Sequence, residues 1–164
     1  MIKFEVKEHL SEMKREEKLI EKIKELKKKE VFVGIPAKNV TRKEGEMNNA
    51  SLLYLHTKGS PLRNLPSRPV IEAALNDEEN QRLISEDLKL VAEAIMEEEF
   101  SKAEKLLEIA GMDAVNKIKE WFENPKNAWP PLRPVTIKAK GSDAILVDTG
   151  QMRNAITYVI SGEE

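Results

Sequence analysis

The chain has 164 residues, 40% of them hydrophobic and 34% charged, with a formal net charge of −2. That length suits one ordinary domain over residues 1–164, and the near-balance of charge gives no global attraction to nucleic acid or to a membrane surface. The absence of cysteine excludes disulfides, a thiol nucleophile and any thiolate metal site.

No apolar run approaches the ~20 residues of a membrane-spanning helix. The opening stretch MIKFEVKEHL holds no hydrophobic signal region, so secretion is not expected. Ile2, Phe4 and Val6 alternate with charged residues, which predicts a half-buried strand over Ile2–Lys7. His9 to Lys29 reads as an amphipathic helix capped by Ser11. Leu10, Met13, Ile20, Ile23 and Leu26 lie near one face, interrupted by Glu16 and Glu17. Val31–Ile35 is a short apolar run ended by Pro36, so it reads as a central strand. Gly34 inside it marks a bulge or a close backbone approach. The residues after Gly34 do not follow the phosphate-cradling glycine-loop pattern.

Lys38 to Glu46 is polar and predicts an exposed loop. Asn48 or Asn49 then caps a short helix carrying Leu52, Leu53, Leu55 and His56, which stops at Gly59. Pro61, Pro66 and Pro69 stiffen Ser60–Pro69 into an extended strap bearing Arg63 and Arg68. The following segment, Val70 to Glu99, is strongly acidic. Its apolar stripe is Ile84, Leu88, Val91 and Ile95, and Asn76-Asp77 marks a break. Arg68 is expected to form an ion pair with this acidic helix.

After a turn near Glu97–Ser101, Ser101-Lys-Ala-Glu104 has the form of a capping box. The next stripe is the strongest in the chain. Ala103, Leu107, Ala110, Ala114, Ile118 and Trp121 recur at helical spacing, widened by Phe100, Leu106, Val115 and Phe122. This is the predicted core helix. Gly111 costs it ~1 kcal/mol relative to alanine, which a close helix–sheet contact would justify. Asn124-Pro125 ends it.

From Pro125 to Lys140 the bases Lys126, Arg133, Lys138 and Lys140 occur without an acid. Pro130, Pro131 and Pro134 predict a second extended strap from Trp129 to Pro134. Lys138, Lys140, Gly141 and Ser142 read as a mobile basic loop, so residues of about 125–145 form a flexible arm. Asp148 or Thr149 is placed to cap a short helix carrying Met152, Ala155 and Ile156, with Arg153 on its outer side. Thr157–Ile160 is β-branched and aromatic, and predicts a final strand. The fold class expected is α+β: a small, mainly antiparallel sheet of Ile2–Lys7, Val31–Ile35 and Thr157–Ser161 packed against two long helices, with extended proline-rich loops outside the core.

The stretch WPPLRPVTIKAKG…LVDTGQMRNAITYVI resembles the C-terminal signature of the tail-completion, or neck, proteins of tailed bacteriophages. The matching elements are Pro131-Leu-x-Pro-x-Thr-Ile, Lys140-Gly and Asp148-Thr-Gly-x-Met-x-x-Ala-Ile. A second block, LLYLHTKGSPLRNLPSRPVIEAAL, is similar to the family's Ile-Pro-x-Arg-Pro region, with Leu65 where isoleucine is usual. The resemblance implies a structural virion or prophage protein, not an enzyme. It implies a ring of copies docked to a head–tail connector protein and to a tail-tube or tail-terminator protein, assembled in the bacterial host cytoplasm, with transient DNA passage and no membrane partner. Resemblance and composition together nominate Arg63, Arg68, Trp129, Arg133, Lys138, Lys140 and Arg153 as interface residues. Loops free in the monomer would order on docking.

Other chemistry is weaker. Hydrophobic residues before Asp148-Thr-Gly also resemble the aspartic-protease loop, where paired carboxylates share a proton. That loop needs a flap and sheet after it, and little chain follows Gly150. His9 and His56 are too few and too distant for a zinc site, and His56 reads as a satisfied core or boundary histidine. No cofactor is expected. Trp129 with Arg133, Lys138 and Lys140 holds the ingredients of phosphate and stacking contacts, so a DNA-binding adaptor is the alternative reading.

Overall fold

The computed structural model describes residues 2–39, 41 and 47–161, with side chains from Met13 onward. Helix α1 runs over Ile2–Lys27 and is followed by strand β1, Val31–Gly34. Then come α2 (Asn49–Lys58), α3 (Ile71–Asn76), α4 (Glu78–Met96) and α5 (Phe100–Trp121). The chain closes with α6 (Pro134–Lys140), α7 (Gln151–Ala155) and β2 (Thr157–Ile160). The architecture is α-rich with a small sheet, as the coarse α+β expectation held.

The sheet is narrower than expected. β1 and β2 pair antiparallel, with Val31 opposite Ile160 and Gly34 opposite Thr157. Ile2–Lys7, expected as a third strand, is the first part of α1. An alternation of three apolar residues is a short signal. It runs without glycine or proline into a long stretch of lysine, glutamate, methionine and leucine, all good helix formers. A helix also satisfies its own backbone donors, whereas a strand there needs a partner. The helix passes through Ser11, which is therefore no cap. Most of the Lys38–Glu46 loop lies outside the described residues.

α5 is the centre of the molecule. Ala103, Leu107, Ala110, Ala114, Ile118 and Trp121 are all buried, as their spacing required. Below the middle of α5, Val115, Ile118, Trp121 and Phe122 pack with Leu53, Val70, Ala74, Met152 and Ile156. Above it, Ala103 and Leu107 pack with Val91 and Ala94 of α4 and Ile160 of β2. Tyr158 of β2 touches both clusters. It lies over Gly111, where an added Cβ would stand 2.7 Å from the ring. The glycine is thus the close helix–sheet contact that its position predicted.

Local chemistry sets the boundaries. Asn48 caps α2 by accepting a hydrogen bond from Ser51 N at 2.8 Å, and Gly59 ends it with φ of 71°. Asp77 divides the acidic segment and caps α4, accepting from Asn80 N at 3.3 Å. The expected capping box at Ser101 is absent. α5 begins earlier, with Glu99 in the cap position and no side-chain cap. The tight turn from α4, in which Glu99 N donates to Ala94 O at 2.8 Å, decides that start.

Candidate functional site

The two proline straps meet. The first leaves α2 at Gly59 and doubles back along the helix end. Its tip is a 3-10 turn over Pro61–Arg63, closed by a bridge between Ser60 and Leu65. The return is held by Ser67 Oγ donating to Thr57 O at 2.6 Å and by Arg68 N donating to His56 O at 2.7 Å. Only glycine fits at the corner, since a Cβ on Gly59 would stand 2.7 Å from Ser67 N. The second strap, Trp129–Arg133, has no regular structure, as its prolines dictate.

Arg68 ties them together. Its Nη2 donates to Pro130 O at 2.9 Å, across 62 positions of sequence. The residue is only 4% exposed. The expected ion pair with the acidic helix is therefore corrected: the acceptor is a backbone carbonyl of the opposite strap. Lys126 takes the role instead, with Nζ 2.7 Å from Asp77 Oδ2 at the start of α4. The reason is positional. The chain buries Arg68 between α2 and the second strap, while Lys126 follows α5 and returns to the α3–α4 break.

Two donors or acceptors at this junction have no hydrogen-bond partner among the described residues. They are Arg68 Nε and His56 Nδ1, both buried. Burial pushes the Arg68 guanidinium below its ordinary value, though arginine remains cationic. Burial, and then the adjacent Arg68 charge, push the His56 imidazole below its ordinary value. His56 is thus not the satisfied boundary histidine that its apolar helix suggested.

Two hollows share His56, Arg68, Leu132 and Thr136 as a wall. The larger, about 430 Å³, is bordered by Arg63 of the first strap and Arg133 of the second. The smaller, about 240 Å³, is bordered by Lys140 of α6 and by Asp148, Thr149 and Gly150 before α7. So the fold gathers Arg63, Arg68, Arg133 and Lys140, which the sequence nominated separately. Lys138 stands exposed on α6.

The remaining nominees are placed otherwise. Trp129 is half-buried and packs against the main core, so it anchors its strap. Arg153 pairs with Glu123 at 3.0 Å and lies 6.0 Å from the Phe122 ring centroid. The expected basic loop at Lys138 and Lys140 is helical. Pro134 occupies the first helical turn, where its missing N–H costs nothing, and Gly141 closes the helix with φ of 72°. Lys140 Nζ donates to Ala144 O.

Asp148 and Thr149 do not cap α7. Gly150 holds that position at φ of 75°, and no side chain caps the helix. Thr149 Oγ1 accepts from Gln151 Nε2 at 3.1 Å. Asp148 is exposed and, among the described residues, is the one carboxylate lining the smaller hollow, where proton-sharing acid–base chemistry needs a pair. No group of three or more metal-ligating side chains occurs among the described residues. No family model, curated protein or solved structure matches the chain.

Proposed function

We propose that the chain is a structural virion or prophage protein of the head–tail neck or tail-completion type. It acts by ring assembly and by docking to a connector protein and to a tail-tube or tail-terminator protein. It is assembled in the host cytoplasm and works in the virion without catalysis. Two kinds of support meet at one place. Part of each motif block that resembles the tail-completion family lies on the two straps, the rest on α2, α3, α6 and α7, and the Arg68–Pro130 hydrogen bond ties the straps together. Leu62, 98% exposed, adjoins Arg63 on the first strap, and Val135, 70% exposed, lies on α6 with Lys138 just after Arg133 of the second strap. Exposed apolar residues near positive charges suit a protein contact, in which area is buried and charge sets register.

The arm at about 125–145 is the element that tightens on docking in this reading. The test is the mass of the purified particle, alone and mixed with candidate connector and tail-tube proteins. Complexes of defined stoichiometry are expected, with proteolysis of the arm slower in the complex than in the free subunit. A chain that stays monomeric with every such candidate would overturn the proposal.

One observation favours a second reading, a DNA-binding adaptor. Arg63 and Arg133 border the same open hollow and are both exposed. A steep salt dependence of DNA affinity, lost on neutralising Arg63, Arg133 and Lys138, would select it. A docking surface instead shows no retention of DNA at physiological salt.

A further inference from the structure

We infer that the smaller hollow beside Arg68 is a receptor for a carboxylate, carried by a glutamate side chain on an acidic segment of a partner protein. The inference rests on the reading of the chain as a docking subunit and names the chemistry that its partner presents.

The donors come first. Arg68 is 4% exposed and lines this hollow, and its Nε has no hydrogen-bond partner among the described residues. A buried, unmet donor on a charged group is costly, and the planar guanidinium fork matches a carboxylate. His56 Nδ1, on the shared wall, is likewise unmet, and an imidazole can donate from that nitrogen. Lys140 borders the hollow with an ammonium that has three donors, one of them given to Ala144 O.

The charge balance then selects the ligand. Arg68 and Lys140 against Asp148 leave a surplus of one positive charge, which a monoanion neutralises. A phosphate carries more negative charge and meets Asp148. The apolar walls, Leu52, Leu132, Leu146 and Met152, suit the methylenes of a side chain that brings its carboxylate inward. Glutamate has the longer apolar stem of the two acidic side chains. At about 240 Å³ the hollow has room for one such side chain. The exposed Arg63 and Arg133 on the neighbouring rim favour further acids flanking that glutamate.

The experiment is NMR titration of the full chain at fixed ionic strength, reading the Arg68 Nε–H and His56 ring resonances. The probes are N-acetyl-glutamate N-methylamide, its neutral glutaminyl counterpart, inorganic phosphate and a short DNA duplex. Saturable shifts with the glutamyl probe alone are expected. Arg68→Lys keeps the charge but removes Nε–H, and weakens binding about tenfold, the loss of one charge-assisted hydrogen bond. That variant also loses the tie to Pro130, so Lys140→Gln serves as an independent variant, folded and weaker. No saturable shift, equal shifts from the glutaminyl probe, or shifts from phosphate or DNA without the glutamyl probe would each overturn the inference. The docking reading is judged separately. A complex with connector or tail proteins that leaves the Arg68 resonance unmoved sinks the receptor alone, whereas saturable glutamyl binding without any complex sinks the docking reading and leaves the carboxylate site.

Discussion

Gly111 of α5 and Tyr158 of β2 are in contact so close that no other residue fits. A Cβ at Gly111 would stand 2.7 Å from Tyr158 Cδ2 and 2.9 Å from Cγ. This contact brings the sheet onto the core helix and lets Tyr158 bridge both hydrophobic clusters. Gly111→Ala is expected to destabilise the protein in denaturant titration by up to about 2 kcal/mol. Overpacking costs about 1–3 kcal/mol, and the gain in helix propensity returns ~1 kcal/mol of it. In a Tyr158→Ala background the same substitution should cost nothing or stabilise. Additive losses in the double variant would mean that the ring is not the obstacle.

Arg68 sets a different expectation. Arg68→Met removes a charge-donated hydrogen bond worth about 1.5–3 kcal/mol but also removes a buried cation with an unmet Nε. These offset, so the change in stability should be small. The freed second strap should show faster chymotrypsin cleavage after Leu132. An unchanged cleavage rate would show that Trp129, packed on the core, holds the strap unaided.

The pH dependence has two contributions. Folding holds the His56 imidazole below its ordinary value of 6.5, so the unfolded chain binds the proton first and stability falls as pH drops through that value. The loss ends at the lower folded pKa. His56→Gln should flatten this part of the stability curve. Asp77 is held below its ordinary value of 3.8, chiefly by the Lys126 hydrogen bond, so its contribution is present above that value and is lost as pH falls below it. Asp77→Asn should remove the second loss and leave the first. Thermal denaturation across the acid range reads both.

The outer face of the sheet yields a fourth prediction. Phe32 and Val159 are cross-strand partners, 57% and 42% exposed. α1 also leaves Ile20 49% and Met13 47% exposed. Such apolar residues on a two-stranded sheet and a helix favour association between chains. Phe32→Lys should reduce self-association in sedimentation velocity while changing stability by about 0.5 kcal/mol or less. A change in mass confined to strap variants instead would place the contact between copies on the straps.

Much of the core was legible in the chain itself. The α5 stripe runs from Ala103 to Trp121 at one spacing, and burial of a helix face needs no more information than that period. Asn48, Gly59 and the break at Asp77 were legible for the same reason, because a cap acts within a few residues. Ile2–Lys7 misled because its alternation was short and the helical run behind it was long. Ser101 misled because the α4–α5 turn, a contact between helices, set where α5 begins. Asp148 and Thr149 misled in the same way, with Gly150 taking the turn that a cap would have occupied.

The candidate site was legible as parts and not as a place. The prolines predicted two extended straps, of which the first instead folds into a 3-10 turn closed by the Ser60–Leu65 bridge, and the bases on them were the nominees for a contact surface. Only folding decided that Arg68 would be buried against Pro130 and not paired with the acidic helix, that Trp129 would face inward, and that His56 would share a wall with Arg68. Local spacing governs caps, turns and helix faces, because the groups involved lie within a few residues. Which side chain is buried without a partner depends on segments 62 positions apart arriving at one point, and that is a property of the packed chain alone.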